Sequence, residues 1–231
     1  MTAMPLQQRR PLELAGTLIG SSFVLAALVI IWAARVSRGR DLYVSELGAA
    51  GQPTARWFEA ALLFIVVGGS LIAYAARGIR SRGRLLSAWA PSVSLWIGCG
   101  FFLIASQITC TSGCPLPVGA SFTWQDLIHT VVAVLAFAAA CLGMLQVAFA
   151  VGHRPLARLS LGAGVAVALI AGAGGILSLA RFQADFGSRL ELAATTIALG
   201  WLLTLGVMMA LRPRPTFVGP AAALTVGLPV S

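Results

Sequence analysis

Six apolar stretches, each close to the length that crosses a bilayer, take up most of this sequence. They run from about Leu12 to Ala34, Trp57 to Ala76, Ala88 to Ile108, Gln125 to Val151, Leu159 to Ala180 and Leu192 to Leu211. A membrane-spanning helix needs about 20 mostly apolar residues, and backbone that leaves the helix cannot remain unpaired in hydrocarbon. The chain is therefore read as all-α, a polytopic membrane protein with six transmembrane helices in one bundle. Residues 1–11 form an N-terminal segment, 12–211 the six-helix domain, and 212–231, with four prolines, a disordered tail. Only 10% of the residues are charged, against about 25% in a soluble chain, which excludes a soluble enzyme or a disordered protein.

The net charge of +9 would suggest nucleic acid in a soluble protein. In a membrane protein charge is counted separately on each side of the bilayer, and no nucleic-acid partner is expected here. With six spans, one side carries ten arginines and a single acid, Glu13. The other carries six arginines (Arg35, Arg38, Arg40, Arg56, Arg181 and Arg189) and six acids (Asp41, Glu46, Glu59, Asp126, Asp185 and Glu191). The first side is +9 and the second neutral. The positive-inside rule puts the arginine-rich side, and with it both termini, in the cytoplasm. Gln7-Gln8-Arg9-Arg10 before the first run resembles the start of a secretory signal. The run is about 22 residues, longer than a signal core, and no small-residue cleavage site follows; it is read as the first span. Gly16 and Gly20 make a GxxxG pair there, and Gly172, Gly174 and Gly175 crowd the fifth, as helix contacts in lipid favour.

The chemistry-bearing residues gather at the outer ends of the spans. After the first span comes Asp41-Leu-Tyr-Val-Ser45-Glu46-Leu-Gly48, and the fourth opens Thr123-Trp-Gln-Asp126-Leu-Ile-His129. Asp126 and His129, three apart, share a helix face. An ionisable group inside the membrane boundary is a candidate for function. His129 as base, Asp126 or Glu46 as its orienting partner and Ser45 as nucleophile or donor form a candidate catalytic set. The same residues have structural readings: Thr123-x-x-Asp126 has the spacing of a helix cap with an acid in the first turn, and His129 can bond between helices. Cys110-Thr-Ser-Gly-Cys114 can close a small disulfide on an oxidising face. A metal site would need further ligands, which Asp126 and His129 can supply, but the spacing matches no zinc signature, and none is expected. Cys99 and Cys141, mid-span, are read as small apolar fillers. A haem held by two histidines within one subunit is excluded, because His129 and His153 stand 24 residues, roughly 36 Å, apart along one helix. With no phosphate loop or dinucleotide fingerprint either, no cofactor is expected.

With these motifs in view, the chain resembles the bacterial integral membrane family called domain of unknown function 998, over about residues 12–211. The resemblance rests on the six spans, Tyr43-Val-Ser-Glu-Leu-Gly48, Asp126-Leu-Ile-His129, a Gly187-Ser-Arg189 turn before span six and the Cys-x-x-x-Cys-Pro loop. More distantly, Ser45-Glu46-x-Gly48 and the span-four histidine resemble the damage-regulated autophagy modulator and GPI-lipid-remodelling membrane families. It implies a multi-pass protein of a bacterial cell membrane with Ser45, Glu46, Asp126 and His129 as a recurring set, and supplies no substrate. Three functions remain open. One is binding or modifying membrane lipid at the outer-face site. The second is a non-catalytic accessory or sensor role beside a membrane protein partner, and the third is small-solute transport.

Overall fold

The computed structural model describes residues 6–115, 119, 122–150, 154–180 and 183–211. His153 and the tail expected at 212–231 lie outside them. The described residues form six helices: α1 (Leu6–Ser37), α2 (Ala55–Ala75), α3 (Pro91–Gln107), α4 (Trp124–Ala148), α5 (Arg154–Leu179) and α6 (Ala184–Ala210). Two 3-10 turns, Ser45–Gly48 and Ala76–Gly78, flank α2. Five of the helices are long and apolar enough to cross a membrane; α3 is the shorter apolar one.

α1 and α5 begin at Leu6 and Arg154, ahead of their apolar runs and, for α1, inside the expected 1–11 segment; two other starts depart for identifiable reasons. The third run is expected from Ala88, yet α3 begins at Pro91, which fills the first helical position with Ala90 extended before it, as proline requires of its neighbour. Its 17 residues give roughly 25 Å, the lower end of what spans a bilayer. The sixth run is expected from Leu192, but α6 begins at Ala184. The Gly187-Ser-Arg189 stretch expected as a turn is therefore helical, and Glu191 lies inside the helix rather than in a loop. A count of apolar residues stops at these polar positions, whereas the structure continues through them because other elements satisfy them.

Each helix packs on its chain neighbours, and the ring closes through α1 against α6, with α2 also touching α6. α1 and α2 approach most closely where Gly20 faces Gly68: a Cβ on Gly20 would sit 2.9 Å from the Gly68 carbonyl oxygen. Gly16, the other half of the expected GxxxG pair, meets nothing within 4 Å. In α5 only Gly174 of the three noted glycines packs closely, against Leu190 and Gly187 of α6. Exposed Trp57 and Trp124 mark the end of the bundle that carries the Cys110–Cys114 loop (the disulfide end), and exposed Tyr74 and Trp89 mark the opposite one. Such aromatic residues belong at membrane–water interfaces.

At that opposite end a neutral network ties the α2–α3 connection beneath α4. Gln146, fully buried, donates from Nε2 to the carbonyls of Leu86 (3.2 Å) and Trp89 (3.1 Å) and accepts from Ser94 Oγ (2.7 Å). Trp89 Nε1 donates to Ser94 Oγ, and Ser81 Oγ to the Gln146 carbonyl. Ser81 and Ala150 form an isolated antiparallel bridge. Every polar atom of the Gln146 side chain is used.

Candidate functional site

The start of α4 is built by its cap. Thr123 is extended and its Oγ1 accepts the Asp126 N–H at 3.0 Å. The Asp126 carboxylate, buried under the preceding loop, accepts from Thr123 Oγ1 and, at 2.8 Å each, from the backbone N–H and the hydroxyl of Thr111. Both oxygens are thus committed to holding the 108–115 loop on the helix. Gly113, at φ +79°, lets that loop turn back on itself, and Cys110 and Cys114 are joined by a disulfide. One turn further along α4, buried His129 places Nδ1 2.7 Å from the Ile108 carbonyl. A carbonyl only accepts, so Nδ1 carries a proton and donates it to Ile108; in that tautomer Nε2 is the nitrogen with a lone pair to offer. A ring nitrogen of His129 and the two cysteine sulfurs lie within 4.8 Å of one another.

A second group of residues docks the α1–α2 loop on α6. Arg35, buried near the end of α1, donates to the Arg40 carbonyl (2.6 Å), Asp41 Oδ1 (2.7 Å) and Ser188 Oγ (3.3 Å). Asp41 Oδ2 takes the Arg189 guanidinium through Nε at 2.8 Å and Nη2 at 2.6 Å. The Arg189 hydrogen bond, reinforced by the charges of Arg189 and Arg35, outweighs desolvation and holds the Asp41 carboxyl below its ordinary value near 3.8. Glu191 accepts the Val44 N–H at 2.7 Å and the Ser45 N–H at 3.4 Å. The Tyr43 hydroxyl covers Gly187, where a Cβ would stand 2.7 Å away, and Gly48 lies under the Phe58 ring. The Tyr43–Gly48 and Gly187–Arg189 motifs are therefore two halves of one contact.

Between these two groups the ring of helices lines a narrow, partly open cavity of about 90 Å3. Residues of α1, α2, α3, α4 and α6 line it, and none of α5. Along α4 the lining runs His129, Ala133, Phe137, Ala140, Met144, one helical face that extends roughly 22 Å at 1.5 Å per residue. Along α6 it runs Glu191, Thr195, Ala198, Leu202. The walls are almost wholly apolar except at the disulfide end, where Ser45, His129 and Glu191 face the space together. Glu191 is half-buried and borders the cavity.

Of the four residues the sequence singled out, Ser45 and His129 border one cavity. Asp126 sits one turn from His129 but spends its carboxylate on Thr111 and Thr123, and the Ile108 carbonyl is what fixes the His129 ring. Glu46 is half-buried in the 3-10 turn beside Ser45 and does not reach the cavity wall. The apolar run from Leu192 left Glu191 outside the sixth span, among the acids of the neutral side; the structure places it inside α6 and at the cavity. Its signal was present in the Glu191–Thr195–Ala198–Leu202 spacing, which sets it on the same face as an apolar lining.

No curated protein and no solved structure matches the chain, and the distant likeness to the damage-regulated autophagy modulator and GPI-lipid-remodelling families is not shown. A family described as "Protein of unknown function (DUF998)" matches residues 17–208. That match spans most of the six-helix domain, and the chain belongs to this family.

Proposed function

We propose that this membrane protein binds a single-chain or acyl-bearing amphiphile in its central cavity, with the acyl chain along the α4 and α6 faces and the polar group at Ser45, His129 and Glu191. The observation that carries the reading is the cavity's polarity: apolar walls for roughly 22 Å, longer than one leaflet of a hydrocarbon core about 30 Å thick, ending in three polar side chains. A solute path would need polar groups along its length, and the walls offer them at one end only. The disulfide end faces outward in this reading, supported by the arginine count on the opposite side and by the disulfide, a bond that persists in oxidising compartments. A bacterial cell membrane fits both. If the bound amphiphile is an ester, His129 Nε2 is the available base and the Ser45 hydroxyl the available nucleophile. Asp126 then holds the 108–115 loop, whose Ile108 carbonyl orients His129.

Native mass spectrometry of the full chain released from detergent tests the proposal. The wild type is expected to retain an amphiphile adduct that Ala198→Trp, which fills the cavity, removes and His129→Ala weakens. A wild type without an adduct, or one whose adduct survives Ala198→Trp, would overturn it.

A further inference from the structure

The Cys110–Cys114 disulfide is a cross-link beside a histidine whose ring is already oriented. The two sulfurs and a ring nitrogen of His129 lie within 4.8 Å of one another. In a tetrahedral zinc site, with Zn–S about 2.3 Å and Zn–N about 2.0–2.1 Å, such ligand atoms stand roughly 3.5–3.8 Å apart. Opening the disulfide lets the sulfurs separate toward that spacing without moving the backbone that carries His129. The His129 Nδ1–H bond to the Ile108 carbonyl fixes the ring's orientation, as a carbonyl does behind many metal-binding imidazoles. Cys110 and His129 are buried and Cys114 is half-buried, so the site is shielded from bulk water.

From this geometry we infer that the pair is a redox-gated metal site. As a disulfide it staples the loop; as a dithiol it joins His129 to hold one borderline-soft divalent cation of the zinc class. The gating step is thiol–disulfide exchange. An external dithiol gives up two electrons and two protons and becomes a disulfide, while the Cys110–Cys114 sulfur–sulfur bond breaks to two thiols. The cation then displaces the two thiol protons and binds as a bis-thiolate. Three protein ligands leave a fourth position open, and His129 borders the cavity, so a water or the polar group of a cavity ligand can fill it. Asp126 is not a ligand, because both its oxygens are occupied.

The inference stands on the loop geometry and not on the cavity's occupant, so cobalt binding can fail while amphiphile binding holds, and the reverse. The test uses the full chain in detergent, free of affinity tag, with Co2+ as the spectroscopic probe. After reduction by a phosphine, Co2+ is expected to give a thiolate-to-metal charge-transfer band that saturates at about one ion per chain and is displaced by Zn2+. The oxidised protein is expected to give none. Cys114→Ser should abolish the band. His129→Ala and the milder His129→Gln should weaken binding by more than the roughly 10–100-fold that loss of a supporting partner costs. Cys99 and Cys141 are present in every sample, so the differences report on the loop. Reduced wild type without a band would overturn the inference, as would a band that survives Cys114→Ser or a cobalt affinity unchanged in both His129 variants.

Discussion

The two ends of the bundle bury polar groups by opposite means. At the end that holds Gln146 the network is neutral and closed: amide, hydroxyls and indole satisfy one another and the loop carbonyls. At the disulfide end the network is charged, built from Arg35, Asp41, Arg189, Asp126 and Glu191, and it is incomplete. His129 spends one nitrogen on Ile108, has no second bond among the described residues, and borders the cavity with Ser45 and Glu191. A saturated network has done its work once the chain is folded. A network that leaves bonding capacity facing a cavity has capacity for something else, which is why the functional proposal rests on this end.

The comparison breaks most visibly at Gln146. Gln146→Leu strands two loop carbonyls and a serine hydroxyl, so it is expected to lower stability by about 3 kcal/mol, since each buried unsatisfied group costs about 1–3 kcal/mol. Unfolding in a graded detergent mixture would measure this. The amphiphile adduct per folded molecule should stay unchanged; its loss would mean that the closed end also governs the cavity. Asp126→Ala removes the two hydrogen bonds from Thr111 that pin the disulfide loop and a third from the cap residue Thr123, and a loss of about 2 kcal/mol is expected on the same assay. Faster proteolysis confined to residues 108–115 should accompany it, and a variant as protected as the wild type would show that the disulfide alone holds the loop.

The smallest effect is expected at Asp41. Its carboxyl is held below the ordinary value near 3.8 by the Arg189 hydrogen bond, with desolvation opposing and the charges of Arg189 and Arg35 assisting. A carboxyl whose folded value is lowered contributes its stability above the unfolded value and loses it as the pH falls through the folded one. The melting temperature of the wild type should therefore exceed that of Asp41→Asn near neutral pH and converge with it below about pH 4. Screening applies, because the carboxylate is partly exposed to solvent, and added salt should shrink the gap. A gap constant with pH would show that Asp41 acts through shape and not charge.

Much of this architecture was legible as a pattern. The apolar runs gave six helices, and Thr123-x-x-Asp126 foretold a cap that Thr123 does supply. Cys110 and Cys114 are close in sequence and bonded in the structure. What stayed hidden depends on contacts between distant parts of the chain. Glu191 reads as a loop acid until the Val44 and Ser45 amides, about 147 positions away in sequence, are brought to it. Arg35 reads as a flanking charge until Ser188 and Asp41 enclose it. Asp126 was assigned to His129 because the two share a helix face, but a shared face does not exclude a better partner from the loop, and Thr111 is that partner. Charged residues at span ends defeat an apolar count, because their burial depends on partners that the local sequence does not contain.

The central claim is that the cavity, and not only the outer surface, holds acyl chain. The most direct test is photo-crosslinking of the full chain in vesicles with a diazirine-bearing acyl amphiphile, followed by peptide mapping. Lipid-facing α5 residues such as Leu169 and Ile176 are exposed and should label in any case. Additional labels are expected at Phe102, Phe137 and Leu202, which line the cavity, and Ala198→Trp should remove those three alone. Labels restricted to the outer surface, or cavity labels that persist in Ala198→Trp, would contradict it.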